Sequence, residues 1–450
     1  MDTPLYRALN DIIAKDTSRF HMPGHKGIDT SGIFGKVLRY DITEITGADS
    51  LYAASEAILR CEERIAAYYG AKRSLISCQG STLCIQTMLA LVRGRGRRLV
   101  IARNAHVAAA NAMALLDFIP YWVYPQTDGI TGVTAAVTPD EVEAALRSAE
   151  DVAAVYITSP NYYGVLSDIK AIAEVCRRYQ VPLLVDNAHG AHLPAAGYPH
   201  PITQGAAMCC DSAHKTLPVI TGGAYLHIAD DKYIASAKEA MAVFGSTSPS
   251  YLIMLSIDTC LAYLEREASA AFQTLHRRIE EIEQVAMQKG FTAVPGIRDG
   301  TRLPLCACQL GYTGAQLAEH LATYAIEPEY VGENTVVLLP SPLNSERDFM
   351  RLRQAIEAIT PKEYRPRPIP AQHNAAARLA PREAFMAVKQ TVPVHASLGR
   401  VAAANKSSCP PGVPVVMCGE EITQAVQQQL IFYGYESVTV VSEGTVLHSV

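Results

Sequence analysis

The sequence predicts an α/β protein with a mainly parallel sheet and a smaller α+β region towards the C-terminus. Between residues 50 and 271, short apolar runs alternate with helical patterns, the order expected of strands joined by crossover helices. The runs are continuously apolar rather than alternating, as in strands covered on both faces. The 450 residues are 49% hydrophobic and 18% charged. That is enough apolar material for two or three units with a sizeable core, and too little charge for a disordered chain.

Each element has its own signal. Residues 1–49 read as an N-terminal arm with an early helix and a turn at Pro23-Gly24-His25. A helix over 55–69 leads to a strand at 74–77. The apolar run 83–91 reads as a helix and 98–102 as a strand. Thr138 and Glu141 form a capping box, with Pro139 at the first helical position, and open a helix to 149. Strands at 152–158, 181–185, 208–211 and 224–228 follow, and one long amphipathic helix over 261–289 leads out. Residues 50–289 are therefore read as one large domain. A smaller domain over 290–360 has strands at 304–310 and 335–339, with a capping box at Thr313 and Gln316 opening a helix to 324. The Pro-rich stretch 361–370 opens a C-terminal region, 361–450, with a helix near 381–392 and a turn and strand at 410–416.

The chemistry concentrates at strand ends. Ser212-Ala213-His214-Lys215 follows the apolar run 206–210. Lysines are normally kept in water, and one at an inner strand end suits a Schiff base with the aldehyde of pyridoxal 5'-phosphate (PLP). An exposed loop lysine is the alternative. Asp186 closes the apolar run 181–185, at the strand end where open α/β sheets bind ligands. A carboxylate there either pairs with a pyridinium nitrogen or caps a loop. Gly80, Ser81 and Thr82 stand before the helix 83–91, where backbone N–H groups and the helix dipole favour a phosphate, although Ser and Thr are also ordinary N-caps. His106 follows the strand 98–102 and either stacks on a cofactor ring or serves the structure.

The global balance excludes several classes. A net charge of −5 argues against nucleic acid as a partner. The basic run Arg93-Gly94-Arg95-Gly96-Arg97-Arg98 lies between a helix and a strand and reads as a solvated turn. No apolar run is long enough to span a bilayer, and residues 1–10 lack a signal core. The 11 cysteines follow no secretory or zinc spacing and read as reduced thiols of a cytoplasmic protein, with Cys306 and Cys308 packed on one strand face. His189, His192 and His200 lack a completing carboxylate beyond Asp186, so no metal is expected.

Together these segments resemble the Orn/Lys/Arg decarboxylases, in the short form without an N-terminal receiver-like wing. The resemblance runs over nearly the whole chain. It includes Phe20-His21-Met22-Pro23-Gly24-His25-Lys26-Gly27, Asp41-Ile42-Thr43-Glu44, Ser159-Pro160-Asn161-Tyr162-Tyr163-Gly164, the Asp186 and Lys215 segments, Thr247-Ser248-Pro249-Ser250-Tyr251, Pro410-Pro411-Gly412-Val413-Pro414 and Gly419-Glu420. It implies a PLP fold type I (aspartate aminotransferase-like) large domain and decarboxylation of arginine, lysine or ornithine. By position, Lys215 resembles the Schiff-base lysine, Asp186 the pyridinium partner and His106 the stacked ring. Ser81, Thr82, Ser212 and His214 match the phosphate and its surroundings, and Ala188 and His189 match residues near the ring. Thr247 or Ser248 would reach the neighbouring subunit's phosphate, which implies a homodimer with active sites at its interface. Lys215 or His214 would return the proton to Cα.

Two departures stand near the cleft: Gly222 where the family often has glutamine, and Cys409 where an aromatic is expected. The same fold serves aminotransferases and lyases, and Arg302 or Arg353 would hold a carboxylate in the former. A non-catalytic PLP-binding homologue is a further alternative. Glu44, Asp49, Asp299, Glu327 and Glu329 are candidate partners for a cationic side chain.

Overall fold

The computed structural model describes residues 3–363, 369–370, 376–407 and 414–443. Cys409 and the predicted turn over 410–413 lie outside the described residues. In chain order come α1 (Pro4–Ala14), α2 (Ala57–Tyr69), β1 (Arg73–Ser77), α3 (Gly80–Val92), β2 (Arg98–Ala102), α4 (Val107–Leu116) and β3 (Ile119–Val123). Then follow α5 (Pro139–Ser148), β4 (Val152–Thr158), α6 (Ile169–Arg178), β5 (Leu183–Asp186), β6 (Met208–Asp211), α7 (Ala213–Thr216) and β7 (Ala224–Ile228). Next are α8 (Ile234–Phe244), α9 (Tyr251–Leu264), α10 (Ala268–Lys289), β8 (Leu303–Leu305), α11 (Gly314–Ala322), β9 (Tyr330–Val331), β10 (Val336–Leu338) and α12 (Glu346–Glu357). The last are α13 (Pro381–Met386), β11 (Lys389–Pro393), β12 (Lys406–Ser407), β13 (Pro414–Val416), α14 (Gln424–Phe432) and β14 (Ser437–Val441).

The chain forms two compact units, residues 1–91 with 183–271 and residues 92–182 with 272–450. In the first unit the strand order is β1, β7, β6, β5. β5 runs parallel to β6, while β7 is antiparallel to both β6 and β1. The link from β6 to β7 holds only the single turn α7, too short for a covering crossover, so β7 returns antiparallel. Every residue of β5, β6 and β7 is buried. In the second unit β4, β2 and β3 are parallel neighbours. β8, β10 and β9 form a small antiparallel sheet, and the C-terminal region adds the pairs β11–β14 and β12–β13.

Both predicted capping boxes close as expected. Thr138 Oγ1 accepts from Glu141 N–H and Thr313 Oγ1 from Gln316 N–H, with the reciprocal side-chain bonds present. Three expectations change. The single helix over 261–289 is two, α9 and α10, because Arg266 N–H turns back three residues to Tyr263 O while Glu265 pairs with Arg64 at 2.7 Å. The strand over 304–310 stops at Leu305. Its tail becomes a 3-10 turn ending at Gly311, whose φ of 83° suits glycine. Cys306 and Cys308 are both buried there, their Sγ atoms 3.2 Å apart. The helix over 381–392 ends at Met386, since the β-branched Thr391 and Val392 join β11 and pair with Thr439 and Val438 of β14.

The ten described cysteines are all free. Among the described residues no helix is long and apolar enough to cross a membrane.

Candidate active site

Every predicted site residue except His106 lies in the first unit. Asp186 closes β5 and is 1% exposed. Its Oδ1 accepts the Ala188 N–H at 3.1 Å and stands 3.6 Å from the Cys210 thiol. β6 delivers the lysine: Ser212 precedes the single turn α7, which carries His214 and Lys215. Lys215 Nζ lies 3.1 Å from His189 Nε2. An ammonium only donates, so His189 accepts at Nε2.

The helix α3 begins at Gly80, which places Ser81 and Thr82 in its first turn. Ser81 Oγ and Ser212 Oγ are in hydrogen-bond contact and both residues are buried, whereas Thr82 is exposed. Gly80 adopts φ +66°, and its N–H donates to Gly222 O at 2.7 Å. This gives the departure at Gly222 a physical reason. Gly222 has φ +99°, and a Cβ there would meet Cys78 O at 3.0 Å, so a glutamine would strain this turn. His214 Nδ1 donates to Gly223 O at 3.0 Å. Burial disfavours its charged form and lowers its pKa. Thr247 is exposed and follows Ser246, whose N–H donates to Gln79 Oε1 of the α3 loop.

His106 belongs to the second unit, where its Nδ1 caps α4 by accepting the Ala108 N–H at 3.1 Å. Three residues earlier, Arg103 is buried in a two-pronged pair with Glu420, at 2.5 and 2.8 Å, and its guanidinium lies over Trp122 at 4.7 Å. Glu420 also accepts the Met417 N–H at 2.8 Å. This pair ties the C-terminal region to the loop that carries His106. The motif match at Gly419-Glu420 marked one end, but nothing local marked the other.

A buried network around Asp211, at the end of β6, escaped the sequence reading. Asp211 accepts from Asn187 Nδ2 at 2.7 Å and from His200 Nε2 at 3.1 Å, with His227 Nε2 at 3.4 Å. Burial alone would raise its pKa, but the two histidines overcome that and hold it well below the carboxylate range. His200, Cys209 and Asp211 bring ligand atoms within 4.8 Å of one another. However, the Ile202 N–H donates to His200 Nδ1 at 3.4 Å, which leaves the proton on Nε2 facing Asp211. As they stand, these groups form a hydrogen-bond network around Asp211.

The candidate carboxylates for a cationic side chain are mostly occupied. Asp49 caps α2 by accepting the N–H groups of Ser55, Glu56 and Ile58. Asp299 is buried against Thr301, Glu44 accepts from Ser50, and Glu329 accepts from Tyr162 at 2.8 Å. Glu327 is exposed. Arg302 is 1% exposed beside Asp299, and Arg353 pairs with Glu357 on α12. Neither arginine resembles an open carboxylate clamp.

These elements define the class: an α/β enzyme of PLP fold type I, with its lysine just past an inner strand. The chain belongs to the Orn/Lys/Arg decarboxylase family, and with it to the amino-acid decarboxylases, enzymes of the lyase class. The family's "Orn/Lys/Arg decarboxylase, major domain" matches residues 3–294, and its C-terminal domain matches residues 362–435. The Bacillus subtilis protein YaaO, described as uncharacterized, is 30% identical over 96% of this chain and 94% of its own. An arginine decarboxylase of the same organism is 28% identical, covering 94% and 92%. The solved structure of the Escherichia coli constitutive lysine decarboxylase superposes with a TM-score of 0.79 at 20% identity, over 98% of this chain and 82% of that one.

Proposed function

We propose that this protein removes the α-carboxylate of a basic amino acid (arginine, lysine or ornithine) as CO2, using pyridoxal 5'-phosphate held at Lys215. The observation that carries the reading is the convergence, in one unit, of the Lys215 amine on His189, the Ser81–Ser212 hydroxyl pair and the buried carboxylate of Asp186. The donor set fits the cofactor: an amine for its aldehyde, a carboxylate for its ring nitrogen, and hydroxyls at a helix N-terminus for its phosphate. Family membership and the named relatives support the same chemistry.

When bound, the cofactor supplies a protonated ring that takes up the electron pair released as CO2 leaves. The protein's residues do the rest. Lys215 Nζ holds the aldehyde. Ser81, Thr82, Ser212 and the N–H groups opening α3, freed for close approach by Gly80, hold the phosphate. Asp186 holds the proton on the ring nitrogen, its own orientation fixed by the Ala188 N–H. The family resemblance gives His106, whose Nδ1 accepts the Ala108 N–H, the role of ring-stacking residue, and Ala188 and His189 would pack near the ring. Lys215, whose amine lies 3.1 Å from His189 Nε2, or His214 beside it, would return the proton to Cα. Thr247 of one subunit serves the phosphate of its neighbour in a homodimer. The free, largely buried cysteines support a reducing, cytoplasmic setting. The boundaries at 49, 289 and 360 are taken as the domain limits; family matches that end at 294 and resume at 362 support the last two.

The test is amine analysis after separate incubation of the cofactor-loaded protein with arginine, lysine and ornithine. The expected result is CO2 with agmatine, cadaverine or putrescine. Bound cofactor with no amine from any of the three would overturn the reading in favour of another reaction on this fold.

A further inference from the structure

Cys210 stands opposite Asp186 in the register of β5 and β6, so the two side chains leave the sheet on the same face. It is fully buried. Its thiol donates to Asp186 Oδ1 at 3.6 Å, within reach of sulfur, a larger donor atom than nitrogen or oxygen. The backbone joins the strands at the same level, where Asn187 N–H donates to Cys210 O at 2.9 Å. Asp186 Oδ1 therefore takes donors from two elements: the Ala188 N–H, at 3.1 Å, from its own loop and the thiol from the neighbouring strand. Burial, and after it the charge of Asp186, push the thiol pKa well above its ordinary value, so the sulfur keeps its proton and stays a donor.

We propose that Cys210 is a positioning residue, whose S–H bond fixes the plane of the Asp186 carboxylate for the cofactor's ring nitrogen. The proposal rests on the role given to Asp186 above. A carboxylate turns about its Cβ–Cγ bond in broad wells, and a donor from a second element narrows that turning. The residue type fits the task. Alanine or valine would fill the same apolar slot and donate nothing, whereas a thiol packs as a small hydrophobe and still carries a donor.

Two measurements on the full-length chain test this. The first uses cofactor-free protein and reads the infrared S–H stretching band that Cys210→Ala removes. Asp186→Asn replaces the anionic acceptor by a neutral one, so the band should move to higher frequency. A band that does not move overturns the proposal. The second measures kcat and KM, normalised to bound cofactor, for Cys210→Ala and Cys210→Ser, each in the native and the Asp186→Ala background. Both variants lose packing volume, but only serine keeps a donor. Cys210→Ala should lower kcat about 3- to 10-fold with KM little changed. Cys210→Ser should recover most of that loss, and Cys210→Ala should cost nothing further beside Asp186→Ala. Equal losses in the alanine and serine variants, or the same loss in both backgrounds, would make Cys210 a packing residue and overturn the proposal. The infrared measurement needs no turnover. A native protein that decarboxylates nothing therefore counts against the proposed function, and an unmoved band counts against Cys210.

Discussion

Asp186 and Asp211 end neighbouring strands of the same unit, and both are 1% exposed or less. Asp186 is in register with Cys210, so strand alternation turns Asp211 to the opposite face. On that face Asp211 is enclosed by Asn187, His200 and His227. On the other, Asp186 takes the Ala188 N–H and stands in the same unit as Lys215 and the Ser81–Ser212 pair. The comparison teaches that burial alone does not mark a functional carboxylate. The face of the sheet each carboxylate occupies, and the groups gathered on it, separate the proposed cofactor partner from the structural one.

The sharpest way to break this contrast is on the Asp186 face. Lys215→Ala should lower turnover at least ~10³-fold and abolish the visible absorbance of the lysine-bound cofactor. CO2 release and an absorbance scan check it, and retained turnover would sink the assignment. Asp186→Ala should reduce kcat by ~10²–10³-fold while weakening cofactor binding far less, because the carboxylate acts on developing charge. Parallel measurements of kcat and cofactor affinity separate the two effects, and a normal kcat would refute the role.

On the Asp211 face the expected loss is stability. Asp211→Ala leaves the donors of Asn187 and His200 buried without their acceptor, a cost of ~3–5 kcal/mol. The denaturant midpoint of the apo protein should fall well below that of Asp186→Ala, and equal midpoints would erase the distinction. The pH dependence follows from the same group. Its folded pKa lies below its unfolded value, so its contribution is fully present above the ordinary carboxylate range and is lost progressively as pH falls from that range towards the lower folded pKa. The stability gap between the native protein and Asp211→Ala should therefore narrow from about pH 5 downwards. A gap independent of pH would mean that Asp211 is not held ionised. The smallest effect belongs to the hydroxyl pair: Ser212→Ala should weaken cofactor affinity by ~10-fold with little change in kcat, worth about one hydrogen bond to a charged group. Equilibrium titration with cofactor reads it directly.

Much of the Asp186 face was legible in the sequence because its signals are local. The continuous apolar runs of β5 and β6 each announce a buried strand, and the polar residues at or just past their ends, Asp186 and Ser212-Ala213-His214-Lys215, announce the candidate site. Capping boxes worked for the same reason, since their partners are three residues apart. The Asp211 face was not legible because its members come from separate elements, with His200 in a loop and His227 on β7, and only the folded strands bring them together. Arg103 and Glu420 lie 317 residues apart, and neither spacing nor composition links them. The break between α9 and α10 was hidden because the amphipathic pattern continues through three polar residues. β11 was hidden because its residues alternate between exposed and half-buried, which mimics the polar face of a helix.

The central claim is that Lys215 carries the cofactor. The direct measurement is borohydride reduction of the cofactor-loaded protein followed by peptide mapping. The account predicts a phosphopyridoxyl group on Lys215 at near-stoichiometric yield, lost in Lys215→Ala. The same group on another lysine, or no labelled peptide from protein that demonstrably holds the cofactor, would contradict it.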